Sequence, residues 1–525
     1  INQKNIRWII NRNLSEYSDL IVDLAPPEAL QGKEFTSRKK ALKLIHKPEE
    51  PGDYEKGRRS IAFHELYLFY FGIEQVGKAE KKGESMDLTN KDLKNFRSNL
   101  PFKLTHDQKR ALDEISADLK KEKPMNRLLQ GDVGAGKTVV AAGAGYLAYR
   151  AGFQTAFMAP TTVLAEQHNS TFQEIFKTLP ISTALLTGNT GDQEREKIKK
   201  GLLRGSIDYL VGTHALLEED IEFKKLGLSI IDEEQRFGVG QRANLTGKDE
   251  PVNSLVMSAT PIPRTITSTI YGEFETSRLK EMPQGPKDIE TYWVGESKRD
   301  EVYDYIYPKL KEDHQAFIVF PLIEESEVSE LKSAKEMKEK LGKGKLKGLR
   351  LGLLHGNMSE EEKRNTVKKT ESGKLDALIS TTVIEVGIDI PGADILVIEE
   401  ADRFGLTQLH QLRGRIGRTG DKAYCFAIGS PSTEKGRKRL SVFRDEIDGF
   451  NIVEEDLKIR GPGDILGNEQ HGFRNSFYAC NLIKDYDIMK IARDEAKKSE
   501  ERSHKIDLSN EFKRYYGEGI KWLRS

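Results

Sequence analysis

Between Pro101 and about Thr260, short apolar runs alternate with longer segments whose apolar residues recur at helical spacing. Thr155-Ala156-Phe157-Met158, Tyr209-Leu210-Val211 and Leu228-Ser229-Ile230-Ile231 read as strands of the kind that a parallel sheet buries on both faces. After a stretch holding Pro283, Gly285 and Pro286, the alternation resumes with Ala316 to Phe320, Leu351 to Leu354, Ala377 to Ile379 and Ile395 to Ile398. This order predicts an α/β chain with two tandem parallel-sheet domains, joined at about residues 281–288. Residues 1–100 show helical periodicity instead, for example at Ile6, Ile9 and Ile10, with breaks at Pro26-Pro27 and from Pro48 to Gly52. Beyond about residue 430 the pattern becomes a charged helical stretch, a Gly-Pro-Gly turn and a polar tail. The expected division is therefore 1–100, 101–282, 283–430 and 431–525.

Composition narrows the functional classes. A chain of 525 residues exceeds a single core, as the pattern already implies. Lys plus Arg and Asp plus Glu are equal at 83 each, so any nucleic-acid contact must come from local basic patches. The densest such patch, Lys332 through Lys347, reads first as a solvated helix and loop. Cys425 and Cys480 are too far apart for a CxxC pair, which argues against a disulfide framework or a zinc cluster and for thiols in a reducing cytosol. No run of about 18 apolar residues occurs, and Ile1-Asn2-Gln3-Lys4 resembles no signal peptide. The expectation is a cytoplasmic protein without a membrane partner, and the missing initiator Met suggests a fragment.

The strongest chemical signal is Gly131-Asp132-Val133-Gly134-Ala135-Gly136-Lys137-Thr138, which spells G-x-x-x-x-G-K-T between an apolar strand and the Ala-rich run Val139 to Ala148. In such a phosphate loop, Gly131, Gly134 and Gly136 let backbone N–H groups close around phosphates. Lys137 supplies a mobile charge, and the Thr138 hydroxyl can ligate Mg2+. Some 95 residues beyond Lys137, Ile230-Ile231-Asp232-Glu233 places two carboxylates where an apolar strand ends. Asp232 suits the metal, and Glu233 suits the attacking water. Upstream, Phe102-Lys103-Leu104-Thr105-x-x-Gln108 precedes a helix. The Gln108 amide can both donate to and accept from an adenine edge, favouring ATP, although alone it reads equally as a helix-surface glutamine. Pro160-Thr161, Thr213-His214 and Ser258-Ala259-Thr260 sit at predicted strand ends, where open parallel sheets place ligand sites. Singly each is more readily a turn or helix cap; in this order they also suit the phosphates of a nucleic-acid strand.

With these motifs in order, the sequence resembles a superfamily 2 helicase. The resemblance implies two RecA-like lobes that close on ATP and step along nucleic acid. It assigns Gln408-Leu409-His410-Gln411-Leu412-Arg413-Gly414-Arg415-Ile416-Gly417-Arg418 to the segment that completes the ATP site from the second lobe. Arg415 and Arg418 are its arginine fingers, with Gln411 lining the same site; a spacing of three puts both arginines on one helical turn. Ser380 to Asp389 resembles the segment that touches both ligands, with Thr381 and Thr382 toward nucleic acid and Gly387 and Asp389 toward ATP. His355, in Leu354-His355-Gly356-Asn357, resembles a further strand-contacting position.

Arg236-Phe237-Gly238-Val239 and Thr382-Val383-Ile384-Glu385-Val386-Gly387 resemble the RecG family of fork-remodelling translocases and their relatives the transcription-repair coupling factors. Gly461-Pro462-Gly463, Gln241-Arg242 and the helix Ser60 to Gly72 favour RecG. The resemblance implies an ATP- and Mg2+-dependent helicase of the 3′–5′ type. It would act as a monomer on double-stranded and branched DNA, with a single-stranded DNA-binding protein as a further partner. It also implies a C-terminal helical hairpin, here Glu434 to Gln470, in which Arg439, Arg460 and Gln470 couple lobe closure to duplex movement. One departure is Asp232-Glu233-Glu234-Gln235, the coupling factor's form, where RecG proteins usually read Asp-Glu-Gln-His; the resemblance gives Gln235 a role in linking ATP to DNA. Another is that no barrel pattern precedes Ile6, so the chain is expected to begin downstream of the family's wedge domain. Two alternatives remain: a coupling-factor-like translocase, for which no spare segment could bind polymerase, and an ATP-gated DNA-binding scaffold with little turnover.

Overall fold

The computed structural model describes residues 3–78, 83–218, 220–233, 252–258, 274–283, 285, 288–312, 314–321, 327–356, 358–381, 393–417, 422–460, 477–480, 484–498 and 507–516. The first sheet is built from β1 (Asn126–Gly131), β2 (Gln154–Met158), β3 (Thr183–Leu186), β4 (Tyr209–Gly212), β5 (Leu226–Asp232), β6 (Asn253–Ser258) and β7 (Glu275–Leu279). All its pairings are parallel, in the order β3-β4-β2-β5-β6-β1-β7. The second contains β8 (Ile289–Val294), β9 (Gln315–Phe320), β10 (Leu351–Leu354), β11 (Ala377–Thr381), β12 (Ala393–Ile398) and β13 (Ala423–Ile428). It too is parallel throughout, in the order β10-β11-β9-β12-β13-β8.

The apolar runs make these strands because each sheet has a core on both faces. Along β2, Phe157 enters one cluster with Phe172 and Tyr209, while Ala156 and Met158 enter another with Leu186 and Leu202. In β9, Phe317 and Val319 face one core, and Ala316, Ile318 and Phe320 the other. The pattern does not reveal β7 and β8. Both are edge strands with a partly exposed face, so neither carries a continuous apolar run. The helix Lys137–Arg150 is buried almost all round, as its Ala-rich composition requires. The helix Asn90–Ser98, within the stretch expected to form an N-terminal helical segment, sends Leu93 and Phe96 into the first sheet's core.

The chain divides into two compact units: residues 82–262 with 275–459, which hold both sheets, and residues 1–81 with 263–274 and 460–525. In the second of these, the ends of the sequence share a core. The long helix Asp53–Lys78 contributes Phe63, Leu66 and Tyr67, the helix Tyr486–Lys497 contributes Ile488, Met489 and Ala492, and the helix Leu508–Tyr516 contributes Phe512. Polar contacts complete the fit. The Glu65 carboxylate accepts the backbone N–H groups of Tyr478, Ala479 and Cys480 at 2.9–3.1 Å. Arg58 grips the buried Asp485 carboxylate with two hydrogen bonds of 2.7 Å. No helix among the described residues is long and apolar enough to cross a membrane.

Candidate active site

The phosphate loop leaves the C-terminal end of β1 and enters the helix Lys137–Arg150 through Gly136, at φ 80°. That left-handed backbone favours glycine, and space demands it as well. A Cβ on Gly136 would come 2.3 Å from Gln108 Nε2. Gln108 is fixed at the start of its own helix, where its Oε1 accepts the Thr105 N–H at 3.0 Å and its Nε2 donates to the Ala135 carbonyl at 2.9 Å. Its amide therefore braces the phosphate loop instead of lying on an open helix surface. Lys137 Nζ donates to the carbonyls of Gly131, at 2.7 Å, and Asp132, at 3.2 Å. Phe102 is 49% exposed and lines a cavity of about 290 Å3 with Arg97, Leu100, Pro101 and Leu104.

Asp232 ends β5, which is separated from β1 only by β6. At ordinary strand spacing the two strands lie about 10 Å apart, so the ends of both can act on one triphosphate. The buried Asp232 carboxylate meets His168 Nε2 at 2.8 Å and accepts the Glu233 N–H at 3.1 Å. Glu233 is buried and sits at φ 50°, a conformation that costs a non-glycine residue free energy. The donor set fits Mg2+: a carboxylate and the Thr138 hydroxyl, both oxygen ligands at the ends of neighbouring elements. His168 is a residue that sequence reasoning missed. Its signal is its place on the helix Thr162–Ile175, three residues after Ala165 and four before Phe172, on the buried face.

From the second sheet, the helix Leu406–Arg413 approaches the phosphate loop. Gly414 caps it and packs on the loop so closely that a Cβ there would lie 3.0 Å from Val133 Cβ. His410 Nε2 meets Asp132 Oδ2 at 2.8 Å, and Arg413 Nη2 meets His410 Nδ1 at 3.2 Å. Arginine has only donors, so Nδ1 is the acceptor and Nε2 carries the proton given to Asp132. Burial raises the Asp132 carboxyl's pKa, but the hydrogen bond from His410, the Val133 N–H and the nearby Lys137 outweigh it, and the net shift is downward. Arg413, the largest buried cation of this helix, is fixed by the carbonyls of Phe443 and Glu446 at 2.8 and 2.7 Å.

One expectation is corrected here. Arg415 does not continue a helical turn toward position 418, because the helix ends at Arg413 and Gly417 takes φ 70°. Arg415 sits half-buried in the turn that follows Gly414, and Gln411 lies within the helix.

The other expected positions fall mainly at strand ends. Pro160 and Thr161 follow β2, and the Thr161 hydroxyl caps the next helix by accepting the Leu164 N–H at 3.3 Å. Thr213 is buried and His214 exposed after β4, Ser258 ends β6, His355 is buried after β10, and Thr381 ends β11. Arg439, on the helix Glu434–Asp445, donates to the carbonyls of Asp402 and Phe404 at 3.3 and 3.0 Å, anchoring that helix to the second sheet domain. Arg460 ends the helix Gly449–Arg460. Gln235, Thr260, Thr382, Gly387, Asp389, Arg418 and Gln470 lie outside the described residues. Lys343 and Lys345, in the basic patch, pair with Glu339 and Asp304 at 2.9 and 2.8 Å on the surface.

Family models match this layout. Residues 105–269 match the DEAD/DEAH box helicase model and residues 297–420 the helicase conserved C-terminal domain. Residues 446–514 match the model for ATP-dependent DNA helicase RecG, domain 3, C-terminal. The ATP-dependent DNA helicase RecG of Bacillus subtilis is 40% identical over 502 residues, covering 94% of this chain and 73% of the relative. This chain belongs to the RecG family of ATP-dependent DNA helicases. RecG of Thermotoga maritima is 45% identical over 515 residues, 98% of this chain and 66% of the relative. A solved RecG structure, bound to a three-way DNA junction, superimposes with a TM-score of 0.75 at 43% identity, covering 93% of this chain and 65% of that one. The chain thus spans about two thirds of the length of these RecG proteins. The two parallel sheets are the paired RecA-like domains expected of the family.

Proposed function

We propose that the chain is the ATP-driven motor of a double-stranded DNA translocase that remodels branched DNA, such as stalled forks and Holliday junctions. The observation that carries this reading is the packing of the Gly414–Arg415 turn on the phosphate loop, which joins groups from two sheets in one site. In this reading Lys137, Arg415 and Arg418 hold the γ-phosphate as charge develops in the transition state, and Glu233 orients the attacking water and takes its proton. Mg2+ held by Thr138 and Asp232 would neutralise charge on the phosphates. Gln108, Gln411, Gly387 and Asp389 shape the nucleotide site, with Phe102 stacking on the base. The strand-end residues from Pro160 and Thr161 to Thr381 and Thr382 contact DNA, and Arg439, Arg460 and Gln470 pass lobe movement to the duplex.

The match of residues 446–514 to a RecG-specific module supports this motor over the coupling-factor alternative. The junction-bound relative supports branched DNA as substrate. A monomeric state, a nucleoid-associated cytoplasmic location and a single-stranded DNA-binding protein partner follow from the same resemblance. The test is ATP hydrolysis measured with linear duplex, single-stranded and forked DNA. Duplex and fork should stimulate turnover. Stimulation confined to single strands would remove the duplex-translocase reading, and binding without turnover would favour the ATP-gated scaffold.

A further inference from the structure

The helix Gly449–Arg460 begins at the junction of the two sheet domains. A Cβ on Gly449 would come 2.7 Å from His410 Nε2 and 2.9 Å from Asp132 Oδ2, so the glycine backbone is pressed against the hydrogen bond that joins the phosphate loop to the second domain. The next residue, Phe450, lies 5.5 Å from the Arg278 guanidinium and 5.7 Å from Lys280 Nζ, both at or just beyond the end of β7 in the first domain. Farther along, Ile452 and Ile459 are buried in the second domain's core. One helix thus touches the bond, the first domain and the second domain within its first turn.

The bond itself belongs to a chain of contacts. Lys137 donates to the Asp132 carbonyl, the Asp132 carboxylate accepts from His410, and His410 accepts from Arg413. Arg413 is locked by three carbonyls, those of Phe443, Glu446 and Ile447, in the segment leading to Gly449. His410 is 5% exposed, so its hydrogen bond is made largely out of competition with water. Next to it in the chain, Gly414 packs against Val133 of the phosphate loop, and Arg415 follows in the same turn.

We infer that His410 is a positioning residue for ATP turnover. Through Asp132 it sets the Arg415 turn against the phosphate loop, and Gly449 conveys the state of that bond to the helix Gly449–Arg460. This rests on the proposed ATP-driven motor. His410 does not touch phosphate in this role; it fixes where Arg415 stands when charge develops. Its loss should therefore lower kcat with little change in KM for ATP.

The test uses the full chain, with DNA-stimulated ATPase and strand displacement measured in parallel. His410→Ala should lower kcat about tenfold and change KM for ATP less than twofold. His410→Gln, whose amide can still donate to Asp132, should recover kcat to within about threefold of the parent. The double variant His410→Ala with Asp132→Asn should be no slower than the slower single variant, as two halves of one contact require. Gly449→Ala should lower the strand displaced per ATP hydrolysed, by pushing the helix off the bond. A parental kcat in His410→Ala, a raised basal rate, additive losses in the double variant, or failure of His410→Gln to recover would each overturn the inference. A parent chain that binds ATP but never hydrolyses it would instead overturn the motor reading, which the parent's own rate decides first.

Discussion

His168 Nε2 lies 2.8 Å from Asp232 Oδ2, against the ring of Phe157 and in line with Phe172. Without that bond, the Glu233 N–H alone would hold the carboxylate at the end of β5. The imidazole holds one oxygen and leaves the other toward the strand end, where the Glu233 N–H also reaches it. Replacing His168 with Phe keeps the ring packing and removes the hydrogen bond. The Mg2+ concentration giving half-maximal ATPase should rise about tenfold, by analogy with other partners that orient metal ligands. An unchanged Mg2+ titration would deny His168 this role.

Lys137→Ala removes the loop's cation while leaving Gln108 and Gly136 to hold the loop's shape. DNA-stimulated ATP hydrolysis should fall by about 10²–10³-fold, the scale of losing one charge-stabilising donor. Retained activity would sink the motor assignment.

Arg460 stands at the end of a helix whose other end bears on the phosphate loop. Changing it to Ala should leave most ATPase and stop movement on duplex. Triplex displacement gives the readout, and normal displacement would refute a coupling role for Arg460.

Arg58→Ala would leave the Asp485 carboxylate buried without its bidentate partner. Breaking one side of such a pair costs about 3–5 kcal/mol. Hydrogen exchange along residues 484–498 should accelerate accordingly, and Arg58→Lys, which cannot fork across both oxygens, should fall between parent and Ala. Parental protection in Arg58→Ala would show that the pair adds nothing.

Burial pushes the His64 pKa down to about 4, with Asp23 at 3.7 Å pulling it back and Arg38 adding to the depression. The ring is held neutral, as Nδ1 accepts the Ala25 N–H at 3.0 Å and Nε2 faces the Thr36 carbonyl at 3.1 Å. Unfolded, the same histidine binds a proton below about pH 6.5, so the unfolded state holds more protons between pH 6.5 and 4. Stability should therefore fall as pH drops through that window, by on the order of 3 kcal/mol, and lose nothing further from this group below it. Denaturant unfolding of parent and His64→Gln at pH 7 and 4.5 checks the sign. The variant should show a smaller drop, and an equal drop would clear His64 of the effect.

The sequence by itself determined the two parallel sheets and the loop at Gly131 to Thr138. Continuous apolar runs admit no partner but a covered strand, and the glycine spacing admits few uses but phosphate. It also marked Asp232 and Glu233 as paired carboxylates at the end of an apolar strand. Tertiary structure decided what no local pattern encodes. The polar edge strands β7 and β8 owe their conformation to a neighbour strand, and the end of the helix at Arg413 breaks a spacing that looked helical. His168 and His410 are ordinary residues in the chain. They gain partners because folding sets one against Asp232, 64 residues away, and the other against Asp132, 278 residues away, in a protein interior where hydrogen bonds are made largely out of competition with water.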